Sequence, residues 1–178
     1  RMAQVAVGCR SGTKPRNFLV GAAIDNPGAA AAFEAGWGFR CLPGDVVLDV
    51  GYDRIAGRVE LAGHRALDVQ LVDPEPLAGG AVKYGPILNL ATTPNGPQLV
   101  QVDADYRFTR IERGRPALLA FDAGAWGDGQ LRPTTPVAAT LASADVTLHG
   151  VQWLLDPFVP AAEGVTLLSD RDEITLEP

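Results

Sequence analysis

The sequence predicts a mainly β domain, an antiparallel barrel-like assembly around a central apolar cavity, with one or two short helices. Three observations predict it. Apolar residues alternate with period two along much of the chain, the signature of strands with two unlike faces. Turn residues separate these runs, with 20 Gly and 14 Pro spread through 178 residues. Only one stretch carries the start and stop signals of a helix.

The first strand is expected at residues 3–9, Ala-Gln-Val-Ala-Val-Gly-Cys, followed by a polar loop from Arg10 to Arg16 and a second apolar run from Phe18 to Ile24. The helix signal comes next. Asp25 or Asn26 can cap it, Pro27 fits the first turn, Ala29 to Ala35 propagates it, and Gly36 ends it. After Gly44 the alternation is clear: Val46, Leu48 and Val50 point one way, Val47 and Asp49 the other. A turn at 51–53, a strand from Ile55 to Ala62, a turn at Gly63-His64-Arg65 and the alternating Leu67, Val69 and Leu71 make an antiparallel meander. Asp73 to Gly80 reads as a loop. Ile87–Ala91, Gln98–Arg110, Ala117–Phe121 and Ala144–Val151 read as further strands, with a weak one at Val165–Leu168 and an acidic, Pro-containing tail from 157. There is no internal repeat and no domain boundary, so one domain over 1–178 is expected, and a closed barrel is the natural all-β solution at this size.

Bulk chemistry removes several function classes. A hydrophobic fraction of 47% and a charged fraction of 20% suit a globular core. A net charge of −6 opposes a nucleic-acid surface, which needs clustered cations. No apolar run reaches the length of a membrane span. Two cysteines, Cys9 and Cys41, make no disulfide framework and allow at most one bridge between them, and the default is a cytoplasmic, reduced protein. His64 and His149 have no metal-ligand spacing, so no metal is expected, and no cofactor motif is present. The chain starts at Arg1 rather than methionine, which reads as a start inside a longer gene product or one left by removal of early residues.

The segment Gly36-Trp37-Gly38-Phe39-Arg40-Cys41-Leu42-Pro43-Gly44-Asp45-Val46 resembles the active-site segment of the acetoacetate decarboxylase family, whose pattern is roughly Trp-Gly-Phe-Pro-Lys-Lys-Leu. Trp-Gly-Phe is intact, Arg40 stands at the proline, and Cys41 and Leu42 stand at the two lysines. The resemblance extends over most of residues 3–158. Its pieces are the small helix before Trp37, the hairpin around Arg54-Ile55-Ala56-Gly57-Arg58-Val59, the stretch Pro86-Ile87-Leu88-Asn89-Leu90 through Gln98-Leu99-Val100, and Trp126-Gly127-Asp128 through Asp145-Val146-Thr147-Leu148. It implies a β-barrel-like fold around an apolar cavity and an oligomer of identical subunits. In acetoacetate decarboxylase one lysine forms a Schiff base with a ketone, and a cationic neighbour and a dry pocket lower its amine pKa. Both lysines are absent here. The family's early site glutamate matches Gln4, which can orient a substrate but cannot exchange protons as a carboxylate does.

The chain has two lysines, which limits amine chemistry to Lys14, Lys83 and the chain terminus. Candidate catalytic residues are Cys41, as a nucleophile or a cavity-lining thiol, Gln4, and Lys83 with Tyr84 as its acid–base partner. Lys83 and Lys14 otherwise read as solvated loop residues. Trp37, Phe39, Arg40 and Trp126 are candidate substrate-binding residues, with Trp153 a further aromatic, and core packing is the rival reading for the rings. Asp103 and Asp105 share a face of one strand with Tyr106 and Arg107 nearby, as paired carboxylates or a cross-strand ion pair. His64 is expected in an exposed turn and His149 at a barrel mouth.

Three functions follow. The first is an enzyme on this barrel that acts on an apolar carbonyl compound without a Schiff base, by cyclisation, isomerisation, dehydration or amine-free decarboxylation, in specialised biosynthesis. The second is a non-catalytic small-molecule-binding protein or pseudoenzyme. The third is a decarboxylase that uses Lys83. The expected partners are a small molecule and further copies of the chain, with neither nucleic acid nor membrane.

Overall fold

The computed structural model describes residues 1–11, 14–78, 85–93, 96–155 and 165–167. Among them lie β1 (Met2–Ser11), β2 (Lys14–Ile24), α1 (Pro27–Trp37), β3 (Cys41–Val50), β4 (Arg54–Leu61), β5 (His64–Pro76), β6 (Ile87–Thr93), β7 (Gly96–Phe121), β8 (Ala139–Leu155) and β9 (Val165–Leu167). Six strands close a ring in the order β2-β3-β4-β5-β7-β6 and back to β2. β1 lies on β2, and β8 on β7, outside that ring. The expected mainly β barrel is the observed fold.

Two closures in this ring are parallel. β2 pairs with β3 through Ala22↔Cys41, Ala23↔Leu42 and Ile24↔Pro43, and with β6 through Asn17↔Ile87 and Phe18↔Leu88. A parallel pair cannot be joined by a tight turn and needs a crossover. The helix α1 is that crossover between β2 and β3, so a β-α-β unit precedes the antiparallel run from β3 to β5. Asn26 caps it, its Oδ1 accepting from the Ala29 N–H at 3.0 Å, with Pro27 in the first turn. The helix runs past Gly36 and ends at left-handed Gly38, where the Gly38 N–H donates to Glu34 O at 2.9 Å and the Phe39 N–H to Phe33 O at 3.3 Å.

Several expected loops are strand. β1 and β2 pair out to Ser11↔Lys14, so Arg10, Ser11 and the stretch from Lys14 to Arg16 are strand rather than loop. The β4–β5 turn is Ala62-Gly63, which puts His64 and Arg65 on β5. β5 continues to Pro76, and the two runs expected at 98–110 and 117–121 are one strand, β7, of 26 residues. Register shifts along β7 let one long strand serve β6, β5 and β8 in turn.

Strand alternation divides the core in two. Ala23 joins Val46, Val59, Leu61, Ala66 and Trp126 in one cluster, with Leu42 and Phe121 packed against it. Its neighbours on β2, Ala22 and Ile24, face the other way, into a cluster with Leu19, Phe39 and Val102 that α1 covers with Phe33 and Trp37. Trp126 is fully buried, and its Nε1–H donates to Ala66 O at 3.1 Å. Trp126→Ala is therefore expected to cost about 3–5 kcal/mol, read as a fall in the urea midpoint at unchanged slope. A loss under about 1 kcal/mol would remove this indole from the core.

Candidate functional site

The seam between β2 and β3 sends consecutive residues to different places. Cys41 packs into the helix-covered cluster. Leu42 packs into the other, its Cδ1 3.1 Å from where a Cβ on Gly21 would sit, with the Trp126 ring beside that same point at 3.6 Å. Arg40 extends on the Trp126 side. Its Nη1 donates to Trp126 O at 3.1 Å and to Val20 O at 3.4 Å.

Arg40 lines a groove of about 560 Å³ formed with Val7, Phe18, Val20, Asn89 and Leu90, and with Asp128. Its walls are largely apolar. Asn89 is buried, and its amide direction is fixed by its partners: Nδ2 donates to Trp37 O at 2.7 Å and to Gly38 O at 2.8 Å. A flipped amide would set oxygen against two carbonyls. Asn89 Oδ1 is buried and accepts no hydrogen bond. One amide thus ties β6 to the end of α1 and leaves its own oxygen buried without a donor. The sequence reading assigned Asn89 no role. The signal available was a lone amide inside the apolar run Ile87–Ala91, since a buried polar group needs partners.

The other expected site residues lie elsewhere. Trp37 and Phe39 pack with Phe33, at centroid distances of 5.3 Å for Phe33–Trp37 and 5.4 Å for Phe33–Phe39, and the Trp37 Nε1–H donates to His149 O at 2.7 Å. Neither ring lines the groove, nor does Trp126. Gln4 is exposed on β1, with its amide toward Met2 Sδ. Lys83 and Tyr84 lie outside the described residues. Asp103 and Asp105 do not act as a carboxylate pair. Asp103 accepts from Gln101, which in turn accepts from Arg16, while Asp105 sits 2.9 Å from His149 Nε2. Arg107 pairs with Asp145, and His64 is exposed.

Both cysteines are free. Burial, and then the charge of Glu34, push the Cys41 thiol up to about 11 from 9.0. That is the reverse of what a nucleophilic thiol needs, which is a positive field or a base. No three His, Cys, Asp or Glu side chains among the described residues are grouped to hold a metal ion. A second groove of about 590 Å³ lies along β3–β5, lined by Asp49, Arg58, Asp68 and Gln70 among others. Two of its carboxylates are paired: Asp49 with Arg58 at 2.6 Å, and Asp68 with Arg65, outside the lining, at 3.3 Å.

No protein-family profile matches the chain, and no curated protein does. Solved structures do match. The enduracididine biosynthesis enzyme MppR with HEPES bound aligns at TM-score 0.68 and 20% identity over 89% of this chain and 65% of that one. Acetoacetate decarboxylase from Legionella pneumophila aligns at TM-score 0.68 and 18% identity over 84% of this chain and 64% of that one. The fold is that of the acetoacetate decarboxylase-like proteins. MppR complexed with pyruvate aligns at TM-score 0.62 and 18% identity over 96% of this chain and 67% of that one. The chain thus spans 65% and 64% of the length of the first two.

Two measurements check this geometry. Asn89→Asp replaces two donated hydrogen bonds with repulsion and buries a charge, so it should cost at least about 3 kcal/mol in urea unfolding, against about 1–3 kcal/mol for Asn89→Ala. Alkylation of Cys41 by iodoacetamide, followed by peptide mass analysis, should still accelerate with pH beyond pH 9, where an unperturbed thiol levels off near its pKa of about 8.5. By the same shift, this thiol's contribution to folding is intact below pH 9 and falls as pH rises from 9.0 toward about 11, because the unfolded chain loses that proton first.

Proposed function

We propose that the chain is a divergent acetoacetate-decarboxylase-like enzyme that acts on an apolar carbonyl-containing small molecule without a Schiff base. The observation that carries this reading is the fate of the two positions matched to the family's lysines. Cys41 and Leu42 are both packed into core clusters, and the cation beside the groove is Arg40. A guanidinium stays protonated at any working pH, so it cannot form an imine, but it can polarise a carbonyl oxygen or hold an enolate or carboxylate. Arg40 is exposed, so that charge is partly screened by solvent, and the apolar walls beside it limit that screening on the groove side. Val7, Phe18 and Leu90 would hold the ligand's body. Cyclisation, isomerisation, dehydration and amine-free decarboxylation of a carbonyl compound all draw on such positioning and charge stabilisation, and those that move a proton would exchange it with solvent or with Asp128, the carboxylate among the lining residues. Structures of MppR hold pyruvate and a condensation product of pyruvate with an aldehyde, which supports a carbonyl ligand on this fold. A biosynthetic role, and assembly with further copies of the chain, belong to the same proposal.

A second reading, a ligand-binding protein without turnover, is favoured by the raised Cys41 thiol and by the absence of a histidine or glutamate among the groove's lining residues. Borohydride trapping with β-keto acids and larger ketones, read by intact mass and paired with assay of substrate loss, separates the readings. We expect substrate consumed with no adduct, and activity reduced at least about tenfold in Arg40→Leu. A reduced adduct on Lys83 or Lys14 would replace this reading with amine catalysis. Binding without consumption would replace it with the binding protein.

A further inference from the structure

Several arginines of this protein are paired with carboxylates. Asp49 meets Arg58, Arg107 meets Asp145, and Asp73 meets Arg115. Arg40 is not among these: both of its hydrogen bonds go to neutral carbonyl oxygens, both leave from Nη1, and no carboxylate lies within ion-pair distance among the described residues, a pattern that Arg132 shares away from the groove. Asp128, which shares the groove, has its Oδ1 engaged by the Gln130 N–H at 2.9 Å. The Nε–Nη2 edge of the guanidinium therefore carries two donors and no partner. That edge matches the two oxygens of a planar carboxylate.

The side chain reaches this position only because residue 127 is glycine. Gly127 has φ +83, and a Cβ there would lie 2.1 Å from Arg40 Nη2, 2.6 Å from Nη1 and 2.7 Å from Cζ. Any larger residue would occupy the space the guanidinium fills. We propose that Gly127 is a positioning residue that seats Arg40 as the anchor for the carboxylate of an apolar monoanion. This inference rests on the groove being the ligand site. The walls set the apolar body through Val7, Phe18 and Leu90, and Asp128 at the rim opposes a second negative charge.

The test compares hexanoate with hexan-1-ol, which share chain length and differ in charge, by NMR titration at low salt. The wild type should bind hexanoate about tenfold more tightly, a typical gain for a partly exposed charge-assisted hydrogen bond. Arg40→Gln should bring hexanoate to the level of the alcohol while leaving the alcohol unchanged, and Arg40→Lys should keep part of the preference. Gly127→Ala should abolish the preference as Arg40→Gln does. Gly127→Asn tolerates the left-handed backbone yet still carries a Cβ, so its loss of preference isolates displacement of Arg40 from backbone strain. Melting by circular dichroism confirms that each variant folds. Equal affinity for acid and alcohol in the wild type, no binding of either, or a preference that survives in a folded Gly127 variant would each overturn the proposal. Carboxylate preference without turnover of any ketone would remove the enzyme reading and leave this one standing, and turnover without carboxylate preference would do the reverse.

Discussion

The parallel pairing of β2 with β3 is the constraint on which the rest of this molecule depends. Three residue pairs make it, from Ala22↔Cys41 to Ile24↔Pro43, and they oblige the chain to leave the sheet and return. The return path is α1, eleven residues with a capped start and a left-handed end. An alanine-rich helix of this length is marginal alone, so its stability comes from docking through Phe33 and Trp37. Docking in turn fixes where β3 begins. The Asn89 amide, bonded to both carbonyls at the helix end, and the Trp37 indole, bonded to His149 O on β8, hold that junction from two sides.

Because the junction is rigid, alternation at the start of β3 is enforced residue by residue. Cys41 is directed under the helix, and Leu42 into the cluster around Trp126. A thiol and a leucine at these positions pack apolar surface without a charge to desolvate. Arg40, the residue before them, lies on the side of the strand that can reach both the groove and the carbonyls of Val20 and Trp126. Its guanidinium keeps a fixed charge of fixed shape where an amine would trade protons with its surroundings.

Much of the fold was legible in the chain. Asn26 and Pro27 announce the helix start through local chemistry, and the alternation of Val46, Leu48 and Val50 announces β3, since both signals depend on near neighbours alone. The helix end was misread at Gly36 because two candidate glycines stand two residues apart, and only the packing of Trp37 decides between them. The unity of β7 was hidden for a similar reason. Gly114 and Pro116 are turn residues in isolation, yet here Gly114 pairs with Ala139 of β8 and Pro116 with Leu71 of β5, so the neighbouring strands supply what local propensity denies. Of the site, Arg40 was named from its place in the motif. Gly127 was quoted only as part of a matched stretch, because its value lies in a contact with a residue 87 positions earlier.

Asn89 shows how the scaffold and the groove are coupled. Its two donated bonds secure the helix end, which fixes the orientation of its amide and denies Oδ1 a partner. A buried acceptor without a donor costs about 1–3 kcal/mol. That cost falls on a residue that also lines the groove, so the packing that secures the helix end sets part of the groove's wall.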